Sequence, residues 1–149
     1  MHSNPTLSFY NVGNGDFDEF GREVGSLYCR EMRAVALRLL EAISESLGLE
    51  PDFLDKALGM HEQHMSINYY PKCPNPELTF GLPAHSDPTV ITLLLQDQVP
   101  GLQVFNNGNW IAVKRIPNSF VINMGDQIEV SSIGRALSLF SSSDLIFQL

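Results

Sequence analysis

His85-Ser86-Asp87 sets an imidazole and a carboxylate two residues apart. Two such side chains are what an octahedral Fe(II) site with open coordination positions draws from one short segment. On extended chain successive side chains alternate faces, so His85 and Asp87 project to one side and can reach one ion from adjacent corners. A third ligand, a second imidazole, is not in the same segment. Alone, the tripeptide means little more than a polar pair in a loop before Pro88, because His-x-Asp recurs by chance. The elements around it carry the argument.

From about Phe17 to Leu47 apolar residues recur at helical spacing, with Ala36, Leu39, Leu40, Ile43 and Leu47 three or four apart and Gly48 placed to end the run. Leu49–Gly59 adds a short second helix opened by Pro51-Asp52, where acidic side chains suit the positive helix end. Residues 1–16, rich in Asn, Ser and Gly, read as a flexible lead-in without periodicity. After Met65 short β runs separated by Pro, Gly and Asn take over: Met65–Tyr70, Val90–Gln96, Gly101–Phe105, Trp110–Val113, Ser119–Asn123 and Gln127–Val130. Such spacing predicts antiparallel strands in a sandwich or jelly roll, with the helix over Tyr28–Leu47 packed against its outside. Asn106-Asn107-Gly108-Asn109 tolerates positive φ and makes Leu102–Phe105 and Trp110–Val113 a hairpin.

Several further motifs stand in one order around the His-x-Asp: NYYPKCPNPEL at Asn68–Leu78, GLPAHSDP, ITLLLQDQVPGLQVF, WIAV and INMGDQIEV. With them, residues 62–130 closely resemble the catalytic domain of plant 2-oxoglutarate and Fe(II)-dependent dioxygenases, and the stretch Tyr28–Glu50 resembles the segment preceding that core. The GLPxHxDP wording is most similar to the flavanone 3-hydroxylase-like and salicylate-hydroxylating branch. The resemblance implies a mainly β chain with N-terminal helices built on an incomplete double-stranded β-helix (jelly roll). It divides as lead-in 1–16, helical segment 17–60, dioxygenase core 61–130 and divergent tail 131–149. It implies His85 and Asp87 as iron ligands and catalytic residues, and Tyr70 as the hydrogen-bond donor to the 2-oxoglutarate carboxylate. Asn68, two positions earlier on the same strand face, helps it. The implied cofactors are Fe(II) and 2-oxoglutarate, with ascorbate as an accessory. The implied partners are O₂ and a small aromatic or flavonoid-like substrate, hydroxylated or desaturated by a monomeric enzyme.

The chain also departs from that pattern. Family members carry a second iron-binding histidine after the Gly-Asp strand and then an Arg-x-Ser whose arginine binds the distal carboxylate of 2-oxoglutarate. Counting from Gly125 places Ser141 where that histidine belongs, no histidine follows His85, and Arg115 and Arg135 both precede the position. The expectation is a C-terminally truncated family member with weakened activity. The rival is a non-catalytic remnant or binding module. A metal-free jelly roll that holds a small ligand would make His85 and Asp87 incidental.

Composition bounds these readings. The 149 residues, 44% hydrophobic and 17% charged, suit one ordinary globular domain. A net charge of −8 with no basic stripe argues against nucleic acid. No apolar run approaches the ~20 residues that span a bilayer. The N-terminus lacks a secretory pattern and Cys29 and Cys73 stand in unrelated contexts, so a reducing, cytoplasmic setting is expected. Other chemistry-bearing residues have plainer readings. His61 and His64 form a solvated pair at a helix-to-strand junction, and His2 belongs to the terminus. Trp110 packs in the core, Asp126 serves a turn, and Cys73 is a buried small hydrophobe rather than a nucleophile.

Overall fold

The protein is described by a computed structural model over residues 7–11, 19–79, 81–130 and 145–148. Two compact units divide it, Met1–Pro71 and Lys72–Leu149.

The first unit holds β1 (Leu7–Asn11), α1 (Glu19–Ser46), α2 (Phe53–Leu58) and β2 (Gln63–Ile67). The buried stripe of α1 runs through Cys29, Leu40 and Ser44, and the helix stops at Gly48, whose φ of 72° belongs to the left-handed region that ends helices without a Cβ penalty. Ser44 is fully buried because its hydroxyl has two jobs. It donates to the Leu40 carbonyl at 2.9 Å and accepts the Leu54 N–H at 3.3 Å. The latter is one of the first-turn amides of α2 that have no intrahelical partner. Asp52, at the N-cap of α2, makes no side-chain cap bond and pairs instead with Lys56. Leu54, buried beside Ser44, closes the joint between the two helices.

Two features of this unit differ from the sequence expectation. Leu7–Asn11, within the stretch read as a lead-in, is a strand, and it pairs parallel to β2 rather than antiparallel, Leu7 opposite Gln63 through Asn11 opposite Ile67. The predicted strand Met65–Tyr70 begins two residues earlier and ends at Ile67, opposite Asn11. The rest of 1–16 lies outside the described residues.

The second unit holds a single 3-10 turn at Pro76–Leu78, then β3 (Leu82–His85), β4 (Ile91–Leu94), β5 (Leu102–Asn106), β6 (Asn109–Ala112), β7 (Val121–Met124), α3 (Asp126–Val130) and β8 (Leu145–Gln148). A four-stranded sheet has the order β3-β8-β5-β6, and β4 and β7 make a two-stranded sheet. All these pairings are antiparallel. The hairpin β5–β6 turns on Asn107 and Gly108, with φ of 49° and 81°, which is the two-residue turn with both φ positive that matches strand twist. Phe105 and Trp110 face each other across it, ring centroids 5.1 Å apart. Trp110 is 43% exposed, so it is a cross-strand partner and not the core residue its sequence context suggested. The core of this unit centres on Leu102 and Ile128.

Two corrections concern this unit. Gln127–Val130 alternates apolar and polar like a strand, yet Asp126–Val130 is a helical turn. The amides of residues 125–127 turn back onto the 87–90 segment, the Ile128 N–H returns to the Gly125 carbonyl, and this buries Ile128. Within the stretch read as a divergent tail, Leu145–Gln148 is a strand inserted between β3 and β5; residues 131–144, including Ser141 and Arg135, lie outside the described residues.

Leu102 is 2% exposed and Ile111, on the hairpin partner, 50%. Leu102→Ala should therefore lower unfolding free energy by roughly 2–5 kcal/mol, and Ile111→Ala by about 0.5 kcal/mol or less. Urea denaturation of the two variants checks the ranking.

Candidate metal centre

His85 ends β3, where its Cα pairs with Ile146 of β8. Asp87 follows in the segment that leaves that sheet for β4. The His85 Nδ1 lies 2.9 Å from the Pro83 carbonyl. A carbonyl can only accept, so Nδ1 carries a proton, and in the neutral ring this leaves the lone pair on Nε2, the arrangement that a metal-binding imidazole uses. Nε2 stands 3.7 Å from Asp87 Oδ1. The Asp87 side chain is 16% exposed against 38% for His85, and its Oδ2 is buried with no hydrogen-bond partner. A buried, unpartnered carboxylate oxygen is costly unless a cation or donor meets it. The two residues thus fit a cation: one lone pair and one unsatisfied carboxylate, close enough to share an ion. Among the described residues no group of three His, Cys, Asp or Glu side chains converges on one point, so His85 and Asp87 stand as a candidate pair.

The backbone that holds Asp87 is gripped from the end of β7. The ladder of β4 and β7 pairs Ile91 with Met124 through Leu94 with Val121. Beyond it the Gly125 N–H donates to the Val90 carbonyl at 2.9 Å, the Asp126 N–H to the Asp87 carbonyl at 2.9 Å and the Gln127 N–H to the Thr89 carbonyl at 3.2 Å. Gly125 is obligatory here. A Cβ at this position would sit 2.0 Å from the Thr89 oxygen and 2.8 Å from the Asp87 oxygen. Asp126 does serve a turn, and its Oδ2 also accepts from the Ser86 hydroxyl at 2.9 Å, a contact forty residues long in sequence that no local signal marks.

Asn68 and Tyr70 belong to the first unit. Both follow the end of β2, so the alternation argument that put them on one strand face does not apply. Tyr70 is 38% exposed, and partial desolvation raises its phenol above the ordinary value. His61 is less solvated than its loop suggested. Its Nδ1 is 2.8 Å from the Gly59 carbonyl, and its Nε2 faces Arg33 at 3.5 Å and Asp55 at 3.6 Å. Cys73 also departs from expectation. It is only partly covered, with the Thr79 hydroxyl 3.5 Å from its sulfur, and hydrogen bonds from Thr79 and the Asn75 backbone hold its thiol below the usual range. Burial raises the thiol of Cys29.

With this geometry in place, the comparisons with known proteins agree on one class. The 2OG-Fe(II) oxygenase superfamily model matches residues 61–140. The chain is 64% identical over 111 residues to Protein DMR6-LIKE OXYGENASE 1 of Arabidopsis thaliana, covering 74% of this chain and 32% of that protein. It is 55% identical over 120 residues to Flavanone 3-dioxygenase 2 of Oryza sativa subsp. japonica, covering 80% and 35%. Among solved structures it resembles JOX2 in complex with 2OG, Fe and JA, at 37% identity and a TM-score of 0.74, over 91% of this chain and 39% of that one. The chain belongs to the 2OG-Fe(II) oxygenase superfamily, a family of oxidoreductases whose relatives here are DMR6-like oxygenases and flavanone dioxygenases. Its strands form part of the jelly roll of that family, and it spans about a third of the length of these relatives.

The thiol shifts have a direct consequence. Alkylation needs thiolate, so Cys73, with its lowered pKa, should react with iodoacetamide at a pH below that at which a free cysteine does. Cys29, raised and buried, should resist until the chain unfolds. Mass spectrometry of tryptic peptides across a pH series reads both.

Proposed function

We propose that the chain is the Fe(II)-binding part of a 2-oxoglutarate-dependent dioxygenase that oxidises a small aromatic or flavonoid-like metabolite, by hydroxylation or desaturation. The observation that carries this reading is the pairing of a bare His85 Nε2 with an unsatisfied, buried Asp87 oxygen. When bound, Fe(II) with 2-oxoglutarate and O₂ supplies the oxidising chemistry, and 2-oxoglutarate is converted to succinate and CO₂. The chain's own part is to hold and orient. The Pro83 carbonyl keeps the His85 tautomer, the turn at Gly125 holds the Asp87 backbone, and Tyr70, aided by Asn68, donates to the co-substrate carboxylate. The substrate class rests on likeness to proteins named flavanone 3-dioxygenase. Ascorbate serves as an accessory reductant. A cytoplasmic monomer suits two free cysteines and the lack, among the described residues, of a helix long and apolar enough to cross a membrane. The acidic balance disfavours nucleic acid.

A second reading, in which this chain keeps the fold and part of the site without turnover, is favoured by Ser141 at the counted position of the second histidine. Serine is a poor iron ligand. Its effect should exceed the roughly 10–100-fold loss that follows removal of a mere outer-shell partner. The test is succinate formation from 2-oxoglutarate by the purified 149-residue chain, beside a version whose residues after Val130 are replaced by a family-like segment carrying the histidine and Arg-x-Ser. Turnover only in the replaced version is expected. Comparable turnover by both would remove the impairment argument, and turnover by neither would count against the enzyme reading.

A further inference from the structure

Ser86 stands between the two candidate ligands, in the segment that follows β3. It does not point into solvent unattached. Its hydroxyl donates to Asp126 Oδ2 at 2.9 Å, and Asp126 in turn donates its backbone N–H to the carbonyl of Asp87 at 2.9 Å. Residue 126 therefore holds the tripeptide twice, once by the backbone of its last residue and once by the side chain of its middle residue. Gln127 adds a third hold, Nε2 to the Pro88 carbonyl at 3.0 Å.

The backbone bonds merely prolong the pairing of β4 with β7, as any strand end could. The Ser86 tether does something that pairing cannot. A bond to the side chain of the middle residue restrains the rotation of the tripeptide about its own axis, and that rotation sets where the His85 Nε2 and the Asp87 carboxylate point. The carboxylate needs such help, because its own Oδ2 has no partner to hold it.

We propose that Ser86 and Asp126 are positioning residues for the metal centre: the Ser86 Oγ to Asp126 Oδ2 bond aims His85 and Asp87 at a common ion. This inference rests on the metal-binding reading of His85 and Asp87. Ser86 is exposed and Asp126 half-buried, and the bond between them is solvent-accessible, so their loss disturbs aim more than folding.

The experiment uses the full chain, with Mn(II) standing in for Fe(II) and free Mn(II) read by electron paramagnetic resonance. Ser86→Ala and Asp126→Ala should each weaken Mn(II) binding by roughly tenfold, the size of effect typical of partners that orient a ligand. The double variant should be no weaker than either single one, because both remove the same bond. Asp126→Asn should retain most of the affinity, since its amide oxygen still accepts from Ser86. Thermal midpoints of the metal-free variants should stay within a few degrees of the unaltered chain. Unchanged binding by Ser86→Ala and Asp126→Ala would overturn the proposal. So would equal loss in Asp126→Asn and Asp126→Ala, which would make the negative charge the cause, and so would a collapse of the metal-free midpoints, which would make the pair a folding determinant. Asp87→Ala separates the two levels. If it binds Mn(II) as tightly as the unaltered chain, the metal reading fails and takes the tether with it; if it alone weakens binding, only the tether fails.

Discussion

The second unit depends on the antiparallel register of β4 with β7. Ile91 opposite Met124 fixes where β7 ends, and the end of β7 brings Gly125 against the carbonyls of Asp87 and Thr89 at a distance no side chain would permit. A slip by one residue would put a Cβ there and turn every side chain of β7 to the other face. The close approach in turn lets three successive amides return to the 87–90 segment, and so the helical turn Asp126–Val130 replaces what would otherwise be more strand.

That arrangement divides the support of the candidate centre between two sheets. His85 is the last residue of β3 and is held by β8 in the four-stranded sheet. Asp87 is held by the end of β7, which belongs with β4. The candidate pair thus sits where the chain crosses from one sheet to the other, and its geometry depends on the pairing of both. Glycine and backbone carbonyls do much of the work, through Gly125 and Pro83. Side chains contribute at fewer positions: the Ser86 hydroxyl bonds to Asp126, and the Gln127 amide to the Pro88 carbonyl.

The first unit is built around a different device, a buried hydroxyl. Ser44 joins two helices by accepting an amide that α2 cannot satisfy itself and donating within α1. A polar atom is tolerable in that apolar setting because both of its bonds are made.

Local patterns determined much of this protein. Leu40 and its neighbours at helical spacing, ended by Gly48, specified α1 because an amphipathic period is a property of consecutive residues. Asn107-Gly108 specified the β5–β6 hairpin because few residue pairs adopt positive φ twice. The motifs around His85 and Asp87 specified the family. Tertiary structure decided what depends on residues distant in sequence. Leu7–Asn11 and Leu145–Gln148 became strands because β2, β3 and β5 offered edges to pair with. Gln127–Val130, alternating like a strand, became a helical turn because the preceding amides were taken by the Asp87 segment. Cys73, expected to be buried and inert, has its pKa lowered by Thr79 and Asn75, which are near it in sequence but meet its sulfur only through the turn at Pro76–Leu78. The bond from Ser86 to Asp126 spans forty residues; no periodicity or spacing announces such a contact, since it exists only once the register of β4 and β7 has set the two segments side by side.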